Sequence, residues 1–332
     1  MGIRFSGASV TLPRTAREPR EPEVKDTIMT RWTTANIPDQ SGRTVVVTGT
    51  GGLGFEDALA LARANATVII AGRNPSKGAE AVARIRAAAP SADVQFEELD
   101  LASLASVARF GDRLKQSRDS LDVLINNAGI MVPPRRVETE DGFESQLGVN
   151  YLGHFALTVH LMPLLQRGRD ARVVTLSSVA ARQGAIDFDD LNAERRYRPM
   201  PVYAQSKLAC LIFALELQRR SEGAGWPVIS LAAHPGVSRT ELLNNAPSRK
   251  SVEHWARNNL SFLFQPADRG ALPTLFAATA PSARPGGYYG PNGMGEVRGW
   301  PTPARIAPKA EDRETARRLW EVSEQLTGLK LG

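Results

Sequence analysis

Tyr203 and Lys207 stand four residues apart in the stretch YAQSK, and on a helix that spacing sends both side chains out of one face. A free phenol titrates near about 10, too high for efficient proton transfer at neutral pH. A neighbouring ammonium favours the phenolate and lowers that value. Tyr203 is therefore a candidate acid/base group for an oxygen that gains or loses a proton, with Lys207 tuning it. Ser178 closes the apolar run VVTLSS, where its hydroxyl could hold the same oxygen. A tyrosine and a lysine at this spacing are usually just a surface pair, so the surrounding elements decide.

The most informative of those elements is TVVVTGTGGLGFEDALALARA, Thr44 to Ala64. It passes from a buried-strand composition, through glycines at 49, 51, 52 and 54, into helical periodicity. Gly49, Gly51 and Gly54 satisfy G-x-G-x-x-G, the spacing that lets a backbone turn tightly and approach a pyrophosphate at a helix N-terminus. On its own the triplet could equally be a tight strand–helix turn. The next strand ends VIIAGRN, with Arg73 where an acidic residue would bind the ribose hydroxyls of NAD. An arginine there pairs with a 2′-phosphate instead, which points to NADP, with NADPH preferred over NADH.

Short Val/Ile/Leu runs recur at Thr44–Thr48, Thr67–Ala71, Val94–Leu99, Leu121–Asn126, Arg172–Ser177 and Pro227–Ala232. Segments of helical spacing lie between them, including Ser76–Ala89 and Leu104–Leu114. Strands apolar on both faces, separated by helices, predict an α/β fold: a doubly wound parallel sheet with helices on both faces. No repeat or linker divides residues 43–332, which read as a single domain, whereas residues 1–42 read as a disordered extension. Gly2 with Ser6 fits a myristoylation pattern, the early arginines fit an organelle transit segment, and Met29 is an alternative start; the plain expectation is a tail without catalytic work.

The 332 residues are 42% apolar and 23% charged, an ordinary globular composition. The net charge of +6 is dispersed among acidic residues, so no nucleic-acid partner is expected. The lone Cys210 rules out an intrachain disulfide and fits a reducing, cytoplasmic setting. No run of about 18 apolar residues suggests a membrane span.

Taken in order, VTGTGGLG, AGRN, ELDLAS, INNAGIM, VNYLGHF, VVTLSSVA, YAQSK and AAHPGVSRT resemble the short-chain dehydrogenase/reductase family. The likeness is greatest to its retinol-dehydrogenase-like and protochlorophyllide-reductase-like branch, and it covers residues 30–330. The resemblance implies a Rossmann-type fold and a catalytic tetrad of Asn150, Ser178, Tyr203 and Lys207. In that tetrad Ser178, not Ser177, positions the oxygen, and Asn150 holds a water that relays protons to Lys207. It also implies cofactor contacts from Gly49, Gly51, Gly52, Leu53, Gly54, Arg73, Asp100 and Leu101, and from Asn127, Ala128 and Gly129 after the fourth strand. Tyr203 and Lys207 join them, with Pro235, Gly236 and Thr240 at the nicotinamide carboxamide. A homo-oligomer is a further implication.

Two departures stand out. The family turn is T-G-x-x-x-G-x-G, and here it is one residue shorter. Ser178 and Tyr203 are 25 residues apart, and the insertion at 183–200 reads as one wall of the substrate site, with a second at 241–265. Leu242, Leu243, Trp255, Leu260, Phe262, Leu263 and Phe264 in the latter suggest an apolar carbonyl or alcohol substrate, although helix packing explains them nearly as well. RETARRLWEVSEQL reads as an amphipathic helix burying Leu319, Trp320, Val322 and Leu326. The function expected is NADP(H)-dependent interconversion of a carbonyl and an alcohol. The alternative is a non-catalytic NADP(H)-binding sensor or scaffold that kept the fold. A sugar-nucleotide epimerase is disfavoured, because its turn needs glycine where Phe55 stands.

Overall fold

β-branched runs build the sheet. β1 (Thr44–Thr48) lies between β2 (Thr67–Gly72) and β4 (Val123–Asn126), pairing in parallel as Val46↔Ile69 and Val46↔Leu124. β3 (Val94–Glu98), β5 (Ala171–Leu176), β6 (Val228–Ala233), β7 (Tyr288–Pro291) and β8 (Pro301–Pro303) complete eight strands in the order β3-β2-β1-β4-β5-β6-β7-β8. All neighbours are parallel except β7 and β8. This computed structural model describes residues 1–2, 31–237 and 265–331.

Helices cover both faces. α1 (Gly52–Arg63), α2 (Pro75–Ala88) and α7 (Ala267–Thr279) pack over Val45, Val47, Val68 and Ile70. α3 (Leu104–Ser117), α5 (Gly153–Leu165), α6 (Pro199–Ala224) and α9 (Arg313–Thr327) pack over Val46, Ile69, Leu124 and Val173. Alternation along each strand divides the apolar side chains between two cores. A one-turn α4 (Ser145–Leu147) and a π turn (Gly148–Leu152) precede α5, and a one-turn α8 (Pro308–Glu311) precedes α9.

In the second core Tyr151, Phe155, Phe213 and Trp320 interlock. The Phe213 and Trp320 rings stack at 5.8 Å, and Phe155 meets Trp320 edge-on at 5.2 Å. Such pairs add about 0.5–1.5 kcal/mol each beyond area burial.

The folded body begins earlier than residue 43. Trp32 meets the Phe276 ring edge-on at 5.4 Å, Ile37 packs on the first core, and the Gln40 amide donates to the Ala64 carbonyl at 2.7 Å. Residues 31–42 are thus part of the domain rather than of an extension; 3–30 lie outside the described residues. In α9 the buried positions are Ala316, Leu319, Trp320 and Ser323, spaced three and four apart, while Leu326 is 40% exposed and turns to solvent. Among the described residues α6 is long and apolar enough to cross a membrane, but 89% of its apolar window is buried inside the fold.

Candidate active site

Strand order reverses between β1 and β4, and loops leaving the carboxyl ends of the strands there form the crevice where doubly wound sheets bind ligands. The glycine turn occupies that place. Gly49 (φ +99°) and Gly52 (φ +53°) take backbone conformations that side chains disfavour. A methyl group on Gly54 would sit 2.5 Å from the Gly49 carbonyl oxygen and 2.6 Å from Asn127 Nδ2. Despite its missing residue the turn closes: the Gly49 amide donates to the Ala71 carbonyl at 2.7 Å, and α1 begins at Gly52.

The helix starts differ. Asn74 caps α2 by accepting from the Lys77 amide at 3.0 Å, and Ser103 caps α3. α1 starts on Gly51 with no side-chain cap, so its first-turn amides are left for another acceptor. A bare backbone cradle and an uncapped helix start fit a dinucleotide pyrophosphate. Exposed Arg73 follows Gly72, whose absent side chain leaves room for the Thr50 methyl of the same turn. Asp100, half-buried after β3, accepts the Ala102 amide at 2.9 Å, and the Leu101 carbonyl lies against Gly153, where a methyl would come within 2.5 Å.

A buried relay, invisible in the sequence motifs, joins this turn to the loop after β4. The Asn127 and Ala128 amides both donate to Thr48 Oγ1 at 2.9 Å, and Asn127 Nδ2 donates to the Thr48 carbonyl at 2.6 Å. Thr48 Oγ1 also lies 2.9 Å from His154 Nε2, and His154 Nδ1 lies 3.0 Å from the Asn150 carbonyl. A carbonyl only accepts, so Nδ1 carries the proton and Nε2 accepts from the threonine hydroxyl. Burial pushes His154 down to about 4, which keeps the ring neutral. The available signal was a histidine near the start of the largely apolar α5.

The predicted tetrad residues come from three elements. The π turn carries Asn150, Ser177 and Ser178 follow the end of β5, and α6 presents Tyr203 and Lys207. A methyl on Gly129 would lie 3.0 Å from Asn150 Oδ1 and 3.6 Å from Lys207 Nζ, so these three positions converge. Lys207 Nζ donates to the Leu176 carbonyl at 3.0 Å, just before the serines. Ser177 is buried, and its hydroxyl donates to the Lys207 carbonyl at 2.7 Å; Ser178 is half-exposed and accepts the Ala180 amide at 3.2 Å. The geometry thus gives Ser177 to helix packing and leaves Ser178 facing outward. Asn150's side chain is fully engaged: Oδ1 accepts from the Ile130 amide, and Nδ2 donates to the Ile130 carbonyl and to Ser206 Oγ. Its backbone carbonyl also accepts from the Cys210 thiol, which burial pushes upward.

The insertion at 183–200 is pinned across the site. The Tyr197 hydroxyl donates to the Pro133 carbonyl at 2.8 Å, and Asn192 accepts the Glu144 amide. Beneath it Gln146 accepts the amide of Val132, a β-branched residue held at φ +45°. Gly236 (φ +66°) approaches the Val297 carbonyl so closely that a methyl would sit 2.2 Å from it, and Gln265 donates to the Pro235 carbonyl at 2.6 Å. Thr240 and the apolar residues Leu242, Leu243, Trp255, Leu260, Phe262, Leu263 and Phe264 lie outside the described residues.

A doubly wound sheet, a glycine turn at its switch point and a tyrosine–lysine pair at its carboxyl edge define a dinucleotide-dependent oxidoreductase. Comparison with known proteins gives the family. The short chain dehydrogenase profile matches residues 43–251, and the chain belongs to that family. Over 300 residues it is 42% identical to polyprenol dehydrogenase of Mus musculus, covering 88% of this chain and 86% of that protein. Over 304 residues it is 40% identical to retinol dehydrogenase 13 of Homo sapiens, covering 89% and 87%. A crystal structure of a protein from Mycobacterium paratuberculosis, 42% identical, matches with a TM-score of 0.75 over 91% of this chain and all of that one. The chain is an alcohol/carbonyl oxidoreductase of the retinol-dehydrogenase-like branch.

Proposed function

We propose that the protein interconverts an apolar aldehyde or ketone with its alcohol using NADP(H), with Tyr203 as the general acid/base. The observation that carries this reading is the convergence of Gly129, Asn150 and Lys207 at the carboxyl edge of the sheet, with Tyr203 one helical turn before Lys207. When bound, the nicotinamide supplies or accepts the hydride at the carbonyl carbon. Gly49, Gly51, Gly52, Leu53 and Gly54 would hold the pyrophosphate, and Arg73 the 2′-phosphate. Asp100 and Leu101 would flank the adenine end. Asn127, Ala128, Gly129, Pro235 and Gly236 would line the path to the nicotinamide.

In the reducing direction Tyr203 gives its phenolic proton to the substrate oxygen, and in the oxidising direction it takes that proton back. Ser178 donates a hydrogen bond to the same oxygen, which fixes its approach to Tyr203. Lys207, held by the Leu176 carbonyl, places a positive charge beside the phenol and stabilises its deprotonated form. Asn150 acts through position: its amide locks the Ile130 backbone and Ser206, and its carbonyl lies one helical turn from His154. The named substrates of the relatives, a polyprenol and a retinol, support a long apolar alcohol.

Calorimetric titration with NADPH and NADH tests the cofactor, followed by a screen of aldehydes of increasing apolar length with all-trans-retinal among them. Tight NADPH binding with a weak NADH response supports Arg73 in its role. A preference for NADH overturns that role and keeps the enzyme. Failure to bind either one sinks the reading in favour of a scaffold that kept the fold.

A further inference from the structure

We propose that Glu296 is a positioning residue whose carboxylate ties the turn carrying Ser178 to the loop that follows β6. The inference rests on the reading of Ser178, Pro235 and Gly236 given above.

β5 and β6 are parallel neighbours, paired to their last residues as Leu176↔Ala233. Their carboxyl ends release the two segments closest to the proposed chemistry. One is the short 3-10 turn Val179–Gln183, opened by Ser178 and carrying Arg182. The other is His234-Pro235-Gly236. Backbone pairing joins the strand ends themselves, the Ser177 amide donating to the Ala233 carbonyl at 2.8 Å. Glu296 joins the two segments beyond, and it arrives from the connection between β7 and β8, far along the chain.

Glu296 Oε2 lies 2.8 Å from His234 Nε2 and also meets the Arg182 guanidinium. Its Oε1 accepts the Arg305 amide at 3.0 Å. His234 is fully buried, and its Nδ1 accepts the Gly236 amide at 3.1 Å. That bond fixes the tautomer, so Nε2 carries the proton and Glu296 is its acceptor. The imidazole has no room to leave. The Tyr288 ring lies 5.2 Å from it, and a methyl on Gly290 would come within 2.0 Å of Nε2. Burial holds His234 below its usual range; for Glu296 burial pulls upward, but the His234 and Arg305 hydrogen bonds and Arg182 outweigh it and keep the carboxylate ionised.

The backbone marks the same residue, one of five non-glycine positions with positive φ among the described residues. Glu296 sits at φ +58°, a conformation that disfavours a glutamate and that Gly295 adopts beside it. A backbone outlier at a site is a reason to look for function. Here the strained position delivers one carboxylate to both Arg182 and His234. An ordinary surface ion pair contributes little and needs no strained residue to make it.

The test uses the full-length protein as Arg182→Met, Glu296→Gln, Glu296→Asp and the double variant Arg182→Met/Glu296→Gln. NADPH binding is read by calorimetry, and turnover with the aldehyde that wild type reduces fastest. We expect the Arg182→Met and Glu296→Gln singles to lose roughly 10- to 100-fold in kcat, since a small misplacement of a reacting group has that cost. NADPH Kd should rise about threefold to tenfold. Glu296→Asp should recover most of kcat, and the double variant should be no worse than the worse single. Singles with wild-type kcat and Kd, or fully additive losses in the double, would overturn the proposal. Arg182 is partly exposed, so its variant decides the matter if Glu296→Gln does not fold. A wild type that binds no dinucleotide sinks the parent reading, whereas an active wild type with silent variants sinks this one alone.

Discussion

The proposed dinucleotide end and the proposed reaction end of the same sheet edge are built in opposite ways. Around β1 and α1 the structure works by leaving atoms out: Gly49 and Gly54 have no room for a methyl, and α1 has no side-chain cap. Around β5 and β6 it works by bringing side chains in, with Lys207, Arg182, His234 and Glu296 arriving from four separate segments. The first region fails when an atom is added. The second fails when one is removed.

Tyr203→Phe removes one oxygen at the reaction end and gives the sharpest break. Turnover should fall about 10²- to 10⁴-fold while NADPH affinity stays within about twofold, measured by steady-state kinetics and calorimetry. Activity equal to wild type would end the catalytic assignment.

His154 ties the two regions together and gives the next effect. Its folded value of about 4 lies below the ordinary 6.5, so its contribution to stability is complete above about 6.5 and is lost as pH falls towards about 4. That span is worth on the order of 3 kcal/mol. Urea denaturation from pH 7 to 4 should show the loss, and His154→Gln should flatten that limb.

Gly54→Ala adds one carbon at the dinucleotide end, 2.5 Å from a backbone oxygen that cannot yield cheaply. NADPH Kd should rise tenfold or more, about 1.4 kcal/mol, with kcat at saturation little changed. An unaltered Kd would mean that the turn gives way and the contrast with the reaction end is overstated.

The smallest effect comes from Asp57, a fully buried carboxyl on α1 with no hydrogen-bond partner for either oxygen. Burial, then Glu56, pushes it well above the usual carboxylate range, so its protonated folded state loses stability as pH rises past the ordinary value. Asp57→Ala should raise Tm by a few degrees, about 1 kcal/mol, and by more at pH 8 than at pH 5.

The same contrast decides what the sequence could show. β1 was legible residue for residue because TVVVT is β-branched, apolar and closed by glycine. The glycine turn before α1 and the placing of Tyr203 and Lys207 on one helix were legible because both depend on spacing of a few residues. β7 and β8 were not: YYGP and PTP contain prolines that a sheet tolerates at its edge, and neither alternates. The boundary at residue 42 failed because Trp32 finds Phe276 only in three dimensions. His234 lay in plain view inside AAHPG, yet its partner Glu296 follows a glycine-rich loop with no periodicity to mark it.

The aromatic cluster around Trp320 has a consequence for how the molecule is made. α6 carries Tyr203 and Lys207 towards the proposed site and Phe213 into the core, and Phe213 stacks on Trp320 of α9. A growing chain therefore emerges with all four proposed tetrad residues already translated, while the ring that seals the far side of α6 has yet to be joined. In order of synthesis the residues of the proposed site precede the ring against which their helix packs.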